Sequence, residues 1–329
     1  MNSEIYVEVE WDIGPVDIIE NDRLHGSGNW TLPKKVVKVP VQVIDDSDND
    51  VADWLSDNHG WLVKGYSVLE KDITTFDGVI HNREEILEKM IDDDFYYGYL
   101  GKQAMSSSAI KTLMQSPKVY VDSLENGSPS SQALTDGKLF HWKILEPEKF
   151  DELHIVDVAS KASKAYKEAK AEFGEVFTSK EVAPMVQLAE IMMKNKEVAK
   201  YLEGASFEVP AIQMIEGVPF RGKADIIKDN MIIDLKTTGK IKDFEYSALN
   251  FGYDLQAYLY LQLFPEMESF VFICIDKKTK DIGIYECSNT FLESGRRKLV
   301  KGLEDYKTFI QSGMDLEQHT IHKTLNGRL

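Results

Sequence analysis

FRGKADIIKDNMIIDLKTT, residues 220–238, holds two β-rich runs, Phe220–Ile227 and Met231–Lys236, divided by Asp229-Asn230. A two-residue hairpin loop needs left-handed backbone, which Asn and Asp tolerate better than most residues. Lys228 is therefore expected to pair with Met231, which sets Asp225 opposite Asp234 and Ile226 opposite Ile233. Directly opposed residues share a sheet face, with Cβ atoms roughly 4.5–5.5 Å apart. Lys236, two residues beyond Asp234, points to the same side. Two carboxylates and an ammonium converge on one face, and the paired isoleucines enter a core on the other.

Adjacent carboxylates repel and raise each other's pKa unless a cation stands between them. Oxygen donors with open coordination positions suit Mg²⁺ or Mn²⁺. Such an ion can activate water and stabilise charge building on a phosphate. A neighbouring lysine can position or deprotonate that water and offset the developing charge. For these three residues alone, an exposed hairpin with ordinary surface charges is the plain alternative.

Outward from the hairpin, strands are expected at Phe207–Ile215, Ser269–Asp276 and Ile282–Glu286. Helices are expected at Ser108–Met114, Pro117–Leu124, Asp136–Leu145, Lys161–Phe173, Lys180–Leu202, Tyr253–Phe264 and Thr290–Gln311. The pattern predicts an α/β fold, a central mixed β-sheet flanked by helices. Ahead of it, strands Ile5–Trp11, Val36–Ile44 and Trp61–Leu69 with a helix Asp50–Asp57 suggest a small α+β domain over residues 1–100. The joint is placed at DDDFYYGYLGKQAM (92–105), where an acidic run meets a glycine-containing turn. Residues 101–311 then form the second domain and 312–329 a tail.

The net charge of −17 is unevenly spread. Residues 1–100 hold 22 acidic and 8 basic side chains, against 33 and 30 in the remainder. The acidity thus belongs to the front, and the rest is near neutral, as suits an acidic metal site with basic edges. Two cysteines, Cys274 and Cys287, exclude a disulfide framework and a four-cysteine cluster within this chain. They fit a reducing cytoplasm. No apolar run is long enough for a membrane span, and MNSEIYVEVEWD lacks the basic start and apolar core of a secretory signal. There is no G-x-x-x-x-G-K-[ST] loop for an ATP-driven motor and no H-E-x-x-H. His319-x-x-His322 reads as part of a tail rather than a metal site.

Three further features each have a bland reading. Gly137-Lys-Leu-Phe-His141 puts a histidine in an apolar helix, where it is usually structural. Gln256-Ala-Tyr-Leu-Tyr260 places Gln256 and Tyr260 on one helix face, where tyrosines are usually core. Glu208 would by default be a surface charge. Taken in order, however, G-x-x-x-H, G-x-x-D, D-x-K and Q-x-x-x-Y resemble the RecB-type branch of the PD-(D/E)xK nuclease superfamily. The chain is most similar there to the RecE-like, exonuclease VIII-like nuclease domains of prophage recombination systems. SSSAIKTLMQSPKVYVDSL (106–124), DGKLFHWKILEPEKF (136–150) and FGYDLQAYLY (251–260) carry the likeness together with the hairpin. It spans about residues 105–262 and extends to about 311; the front hundred residues have no counterpart.

The resemblance implies a metal-dependent exodeoxyribonuclease with a restriction-endonuclease-like core. It implies His141, Asp225 and Asp234 as metal ligands, Lys236 as the catalytic lysine, and Gln256 and Tyr260 as a supporting pair that contacts DNA. Glu208 joins them only loosely. It also implies Mg²⁺ or Mn²⁺, double-stranded DNA ends as substrate, 5′→3′ polarity without ATP, a ring-like homo-oligomer and a RecT-like single-strand annealing partner. Two rival expectations are a non-catalytic DNA mimic or nuclease inhibitor, and a structure-specific or restriction-type endonuclease on the same fold.

Overall fold

The computed structural model describes residues 4–14, 17–18, 20–21, 33–40, 43–44, 51–69, 72–127, 129–318 and 320. The strand expected over Val36–Ile44 ends at Pro40, and Val43 and Ile44 are helical; residues 41–42 and the pair His319/His322 lie outside the described residues. In the front segment, β1 (Glu4–Trp11) runs between β2 (Val36–Pro40) and, beyond α1 (Val51–His59), β3 (Val63–Val68), antiparallel to both. Val7, Val9 and Trp11 recur every second residue on β1 and so share one face. They meet Val37, Val39, Val51 and Leu55 in a small core.

A short hairpin follows, β4 (Asp72–Thr74) and β5 (Ile80–Asn82), then α2 (Arg83–Lys89), a wide π-type turn Asp94–Tyr99 and α3 (Leu100–Gln103). Asn82 caps α2 by accepting from Glu84 N and Glu85 N. Ile73, Ile86, Met90, Tyr96 and Leu100 share a core with Ile212 of the central sheet. The joint expected at residues 92–105 thus falls within a segment that packs against that sheet.

The next helices begin where serine can cap them. Ser106 caps α4 (Ser107–Gln115), Ser116 with Pro117 starts α5 (Pro117–Asn126), and Ser131 caps α6 (Gln132–Leu145). After α7 (Pro147–Asp151), β6 (Ile155–Val156), α8 (Lys164–Phe173) and β7 (Phe177–Thr178) comes α9 (Ser179–Lys194). One helix was expected over Lys180–Leu202. Instead Asn195 ends α9 and caps α10 (Lys196–Leu202), accepting from Glu197 N and Val198 N. An asparagine side chain competes for backbone N–H groups, so it favours a helix start over a helix interior.

The central sheet comprises β8 (Ser206–Ile215), β9 (Val218–Lys228), β10 (Met231–Thr238), β11 (Ser269–Asp276) and β12 (Ile282–Glu286). Between β10 and β11 lie α11 (Phe244–Phe251) and α12 (Tyr253–Leu263); α13 (Asn289–Asp305) follows β12. Strand order is β12-β11-β10-β9-β8, with β10 and β11 parallel and the remaining pairs antiparallel. The fold is therefore α/β, a mixed sheet between helical layers. Ile232, Phe270 and Phe272 face α12 and α13, while Ile226, Ile233, Val271 and Ile273 face α6 and α9. Both faces are buried, which is why β11 reads as an unbroken apolar run.

Candidate active site

Met231 pairs with Lys228, Ile232 with Ile227 and Ile233 with Ile226, the register expected for a two-residue loop. Asp229 in that loop has φ +50°. Beyond Ile233 the ladder stops. Leu235 N donates instead to Asp225 Oδ2 at 2.8 Å, so a side chain takes the place of the backbone acceptor and β9 and β10 part. On the other side of β9, Phe207 pairs with Ile226 and Val209 with Ala224, which sets Glu208 across from Asp225. Glu208 has φ +50°, a left-handed conformation that costs a non-glycine residue and recurs at functional sites. Glu208 and Asp225 thus face each other across β8 and β9, where opposed like charges destabilise a sheet, and Asp234 follows on β10 one residue past the last paired position.

Each carboxylate has different company. His141, brought from α6, has Nδ1 3.3 Å from Asp225 Oδ2, and its Nε2–H donates to Leu235 O at 2.7 Å. One donor atom each of His141, Glu208 and Asp225 lies within 4.8 Å of the others. Asp234 is tied elsewhere. Its Oδ2 is 2.5 Å from Lys236 Nζ, and Gln256 Nε2 donates to its Oδ1 at 2.6 Å. Lys236 Nζ also lies 5.0 Å from the centre of the Tyr253 ring. Tyr260 OH donates to Lys223 O at 3.2 Å, fastening α12 to β9. Gly222 permits this approach, since a Cβ there would meet Leu263 Cδ1 at 2.7 Å and the Tyr260 ring at 3.2 Å. The glycine of G-x-x-D is therefore a packing requirement.

The charges are strongly coupled. Burial pushes the Glu208 carboxyl up, and the nearby Asp225 and Glu146 carboxylates add to the effect, reaching about 8. Burial also lifts Asp234, aided by Asp225, and Lys236 offsets only part of this. Asp225 goes the other way: burial is outweighed by the charge and hydrogen bond of His141, by Lys236 and by Leu235 N. Burial alone would lower His141, but Asp225 raises it to about 9. Burial likewise opposes the Lys236 ammonium, and the two aspartates overcome it, holding the group above the ordinary lysine range.

His141, Glu208, Asp225, Asp234, Lys236, Gln256 and Tyr260 all line one cleft of about 840 Å³. The closest donor trio, however, is His141, Glu208 and Asp225, not the expected His141, Asp225 and Asp234. Asp234 Oδ2 is buried against the Lys236 ammonium. Three carboxylates and an imidazole lining one cleft are a donor set that fits a hard divalent cation. Sequence reasoning missed Arg221 and Lys223, which follow the alternation of β9 onto the Asp225 side and line the cleft. That alternation was a usable signal. It also missed Tyr96 and Tyr97, which reach the cleft from more than a hundred residues upstream with no local signal.

Among the described residues, no helix is long and apolar enough to cross a membrane. No curated protein matches the chain by sequence. Among solved structures, the crystal structure of a "Putative exonuclease" from Eubacterium rectale superposes over 71% of this chain and 95% of its own, at 17% identity and a TM-score of 0.52. At that identity the likeness speaks for the fold alone. SSO0001 aligns over 59% and 84% at 16% identity, and its TM-score of 0.26 is too low to bear on the matter. The profile of a family described as "PDDEXK-like domain of unknown function (DUF3799)" matches residues 106–315. That span holds the framing helices, the whole central sheet and every candidate residue from His141 to Tyr260, and the chain belongs to this PDDEXK-like family.

Proposed function

We propose that the protein is a metal-dependent exodeoxyribonuclease that hydrolyses phosphodiester bonds from the ends of duplex DNA. The row Glu208–Asp225–Asp234, set beside Lys236 in an open cleft, carries this reading. Carboxylates gathered from three adjacent strands are costly unless a cation joins them. Membership of the PDDEXK-like family supports nuclease chemistry, and the RecE-like motifs support action from ends. The 5′→3′ polarity, the ring-like oligomer and the annealing partner rest on the RecE resemblance alone.

Hydrolysis adds water across one P–O bond, leaving a phosphate on one product and a hydroxyl on the other. His141, Glu208, Asp225 and Asp234 would hold Mg²⁺ or Mn²⁺, and the bound ion would supply positive charge for the phosphate and a more acidic water. Gln256 fixes one oxygen of Asp234, and Lys236 pairs with the other. Lys236, kept charged by its two aspartates, donates hydrogen bonds to the charge that builds on the phosphate. Tyr260 acts at one remove, holding β9 through Lys223 O.

The test compares linear and covalently closed circular duplexes with Mg²⁺, with Mn²⁺ and with EDTA. Loss of the linear form only, and only with metal, is the expected result. Cutting of the circle would make the protein an endonuclease. If neither form is cut while DNA-processing enzymes are inhibited, the non-catalytic mimic takes its place.

A further inference from the structure

The family match begins at residue 106, yet one wall of the cleft comes from residues before it. The wide turn Asp94–Tyr99 lies over the site side of β9. Tyr96 is 5% exposed, with the Arg221 guanidinium 4.3 Å and the Lys223 ammonium 4.7 Å from its ring centre. Asp93, at the start of the turn, pairs with Lys223 at 3.1 Å and with Lys149 at 2.6 Å. These contacts anchor the turn. Wide turns of this type re-aim side chains and are frequent at functional sites.

The next side chain is presented rather than packed. Tyr97 lines the same cleft but is 63% exposed. Its ring stands nearly perpendicular to that of Tyr96, at 87° and 4.8 Å between centres. Lys223 Nζ lies 5.7 Å from the Tyr97 ring centre and is itself almost withdrawn from solvent. An anchored aromatic ring exposed in a cleft suited to phosphodiesters matches the flat face that a nucleobase offers. The base has a π-face that stacks whatever its identity, while Lys223, held by Asp93, backs the ring.

We propose that Tyr97 is a nucleobase-stacking residue, which extends the substrate site beyond the family domain into the segment before residue 106. This rests on the nuclease reading and narrows its substrate. Inside a duplex both faces of a base are covered by its neighbours, so the nucleotide Tyr97 takes is terminal or unpaired.

The experiment uses the full chain without Mg²⁺ or Mn²⁺ and an oligonucleotide carrying 2-aminopurine in a short single-stranded end. Wild-type protein should quench the fluorophore on binding. Tyr97→Ala should lose the quenching and bind about tenfold more weakly, the size of one base–aromatic contact. Tyr97→Phe should keep both, because the ring and not the hydroxyl stacks. Tyr246→Ala, an exposed tyrosine outside the cleft lining, should match wild type. Unchanged quenching and affinity in Tyr97→Ala, or equal losses in Tyr97→Phe, overturn the proposal. Cleavage of linear duplex by wild type with Mg²⁺ is scored separately: its absence defeats the nuclease reading, whereas quenching independent of Tyr97 defeats only this inference.

Discussion

Glu10, Asp53 and Asp57 in the front segment project into solvent, whereas Glu208, Asp225 and Asp234 in the cleft are largely withdrawn from it. The front carries most of the excess acid, 22 residues against 8 basic ones, yet its exposed charges are screened by water and salt. The cleft carries few acids, gathered from three adjacent strands and desolvated together. Net charge therefore points to the wrong end of the molecule. What marks chemistry is the arrangement, because like charges cost little in water and a great deal when buried side by side.

The sharpest way to break this contrast is to remove the cleft charges singly. Lys236→Ala should keep metal binding by calorimetry and lower the cleavage rate at least 100-fold, as expected when a charge serving the transition state is lost. Asp225→Asn and Asp234→Asn should each lose most metal affinity and most activity while the circular dichroism of the fold is kept. Cleavage by Lys236→Ala at the wild-type rate would show that the row of carboxylates is not a catalytic face. EDTA should abolish activity in the wild type, and Ca²⁺ should bind without supporting turnover because its looser coordination positions water poorly.

The second effect is on stability, and it arises in the cleft. Glu208 has a carboxyl raised from 4.5 to about 8, so its contribution to metal-free stability is fully present below pH 4.5 and lost as pH rises through 8. His141, raised from 6.5 to about 9, contributes below pH 6.5 and loses that contribution as pH rises through 9. Asp225, held low, acts in the opposite sense: its contribution is present above pH 3.8 and is lost as pH falls further. The metal-free protein should therefore lose melting temperature between about pH 5 and pH 9, and Glu208→Gln should flatten the portion up to pH 8. The same substitution should weaken metal binding. An unchanged pH profile in Glu208→Gln would mean that burial and the nearby Asp225 do not hold the Glu208 carboxyl up.

A smaller, purely steric effect is expected at Gly222. The added methyl of Gly222→Ala would enter the space of Leu263 and Tyr260, costing about 1–3 kcal/mol as overpacking does. Thermal melting would show it, and activity should fall further than stability, since Tyr260 holds the strand that carries Asp225.

The hairpin was the most legible part of the molecule. Asp229-Asn230 set the loop, the loop set the register, and the register brought Asp225, Asp234 and Lys236 to one side. Local chemistry of this kind acts over a few residues and is written in them. Glu208 was harder to read because its role depends on a positive φ and on the pairing of β8 with β9, neither of which leaves a mark in its neighbours. The break at Asn195 was missed because the apolar pattern runs on through it, while the cap depends on one side chain. Asp93 and Tyr97 belong to a segment that looked like a boundary. Only the tertiary fold shows it meeting Lys223.

The smallest effect is expected where the formal charge is greatest. Replacing Glu10, Asp53 and Asp57 together with Gln and Asn removes three exposed negative charges without touching the cores around Val9 and Leu55. The field of the front should then repel a phosphate backbone less, which speeds association more than it changes the bound state. At low salt, DNA association measured by stopped flow should quicken by roughly two- to threefold, and near 0.15 M salt, where the screening length is about 8 Å, the gain should vanish. Cleavage of bound substrate should not change at either salt concentration. A larger gain that persisted at high salt would mean that the front lies close over the DNA path, within a screening length of the substrate. In that case the exposed acids would belong to the working site, and the division between solvated and buried charge would no longer separate the two regions.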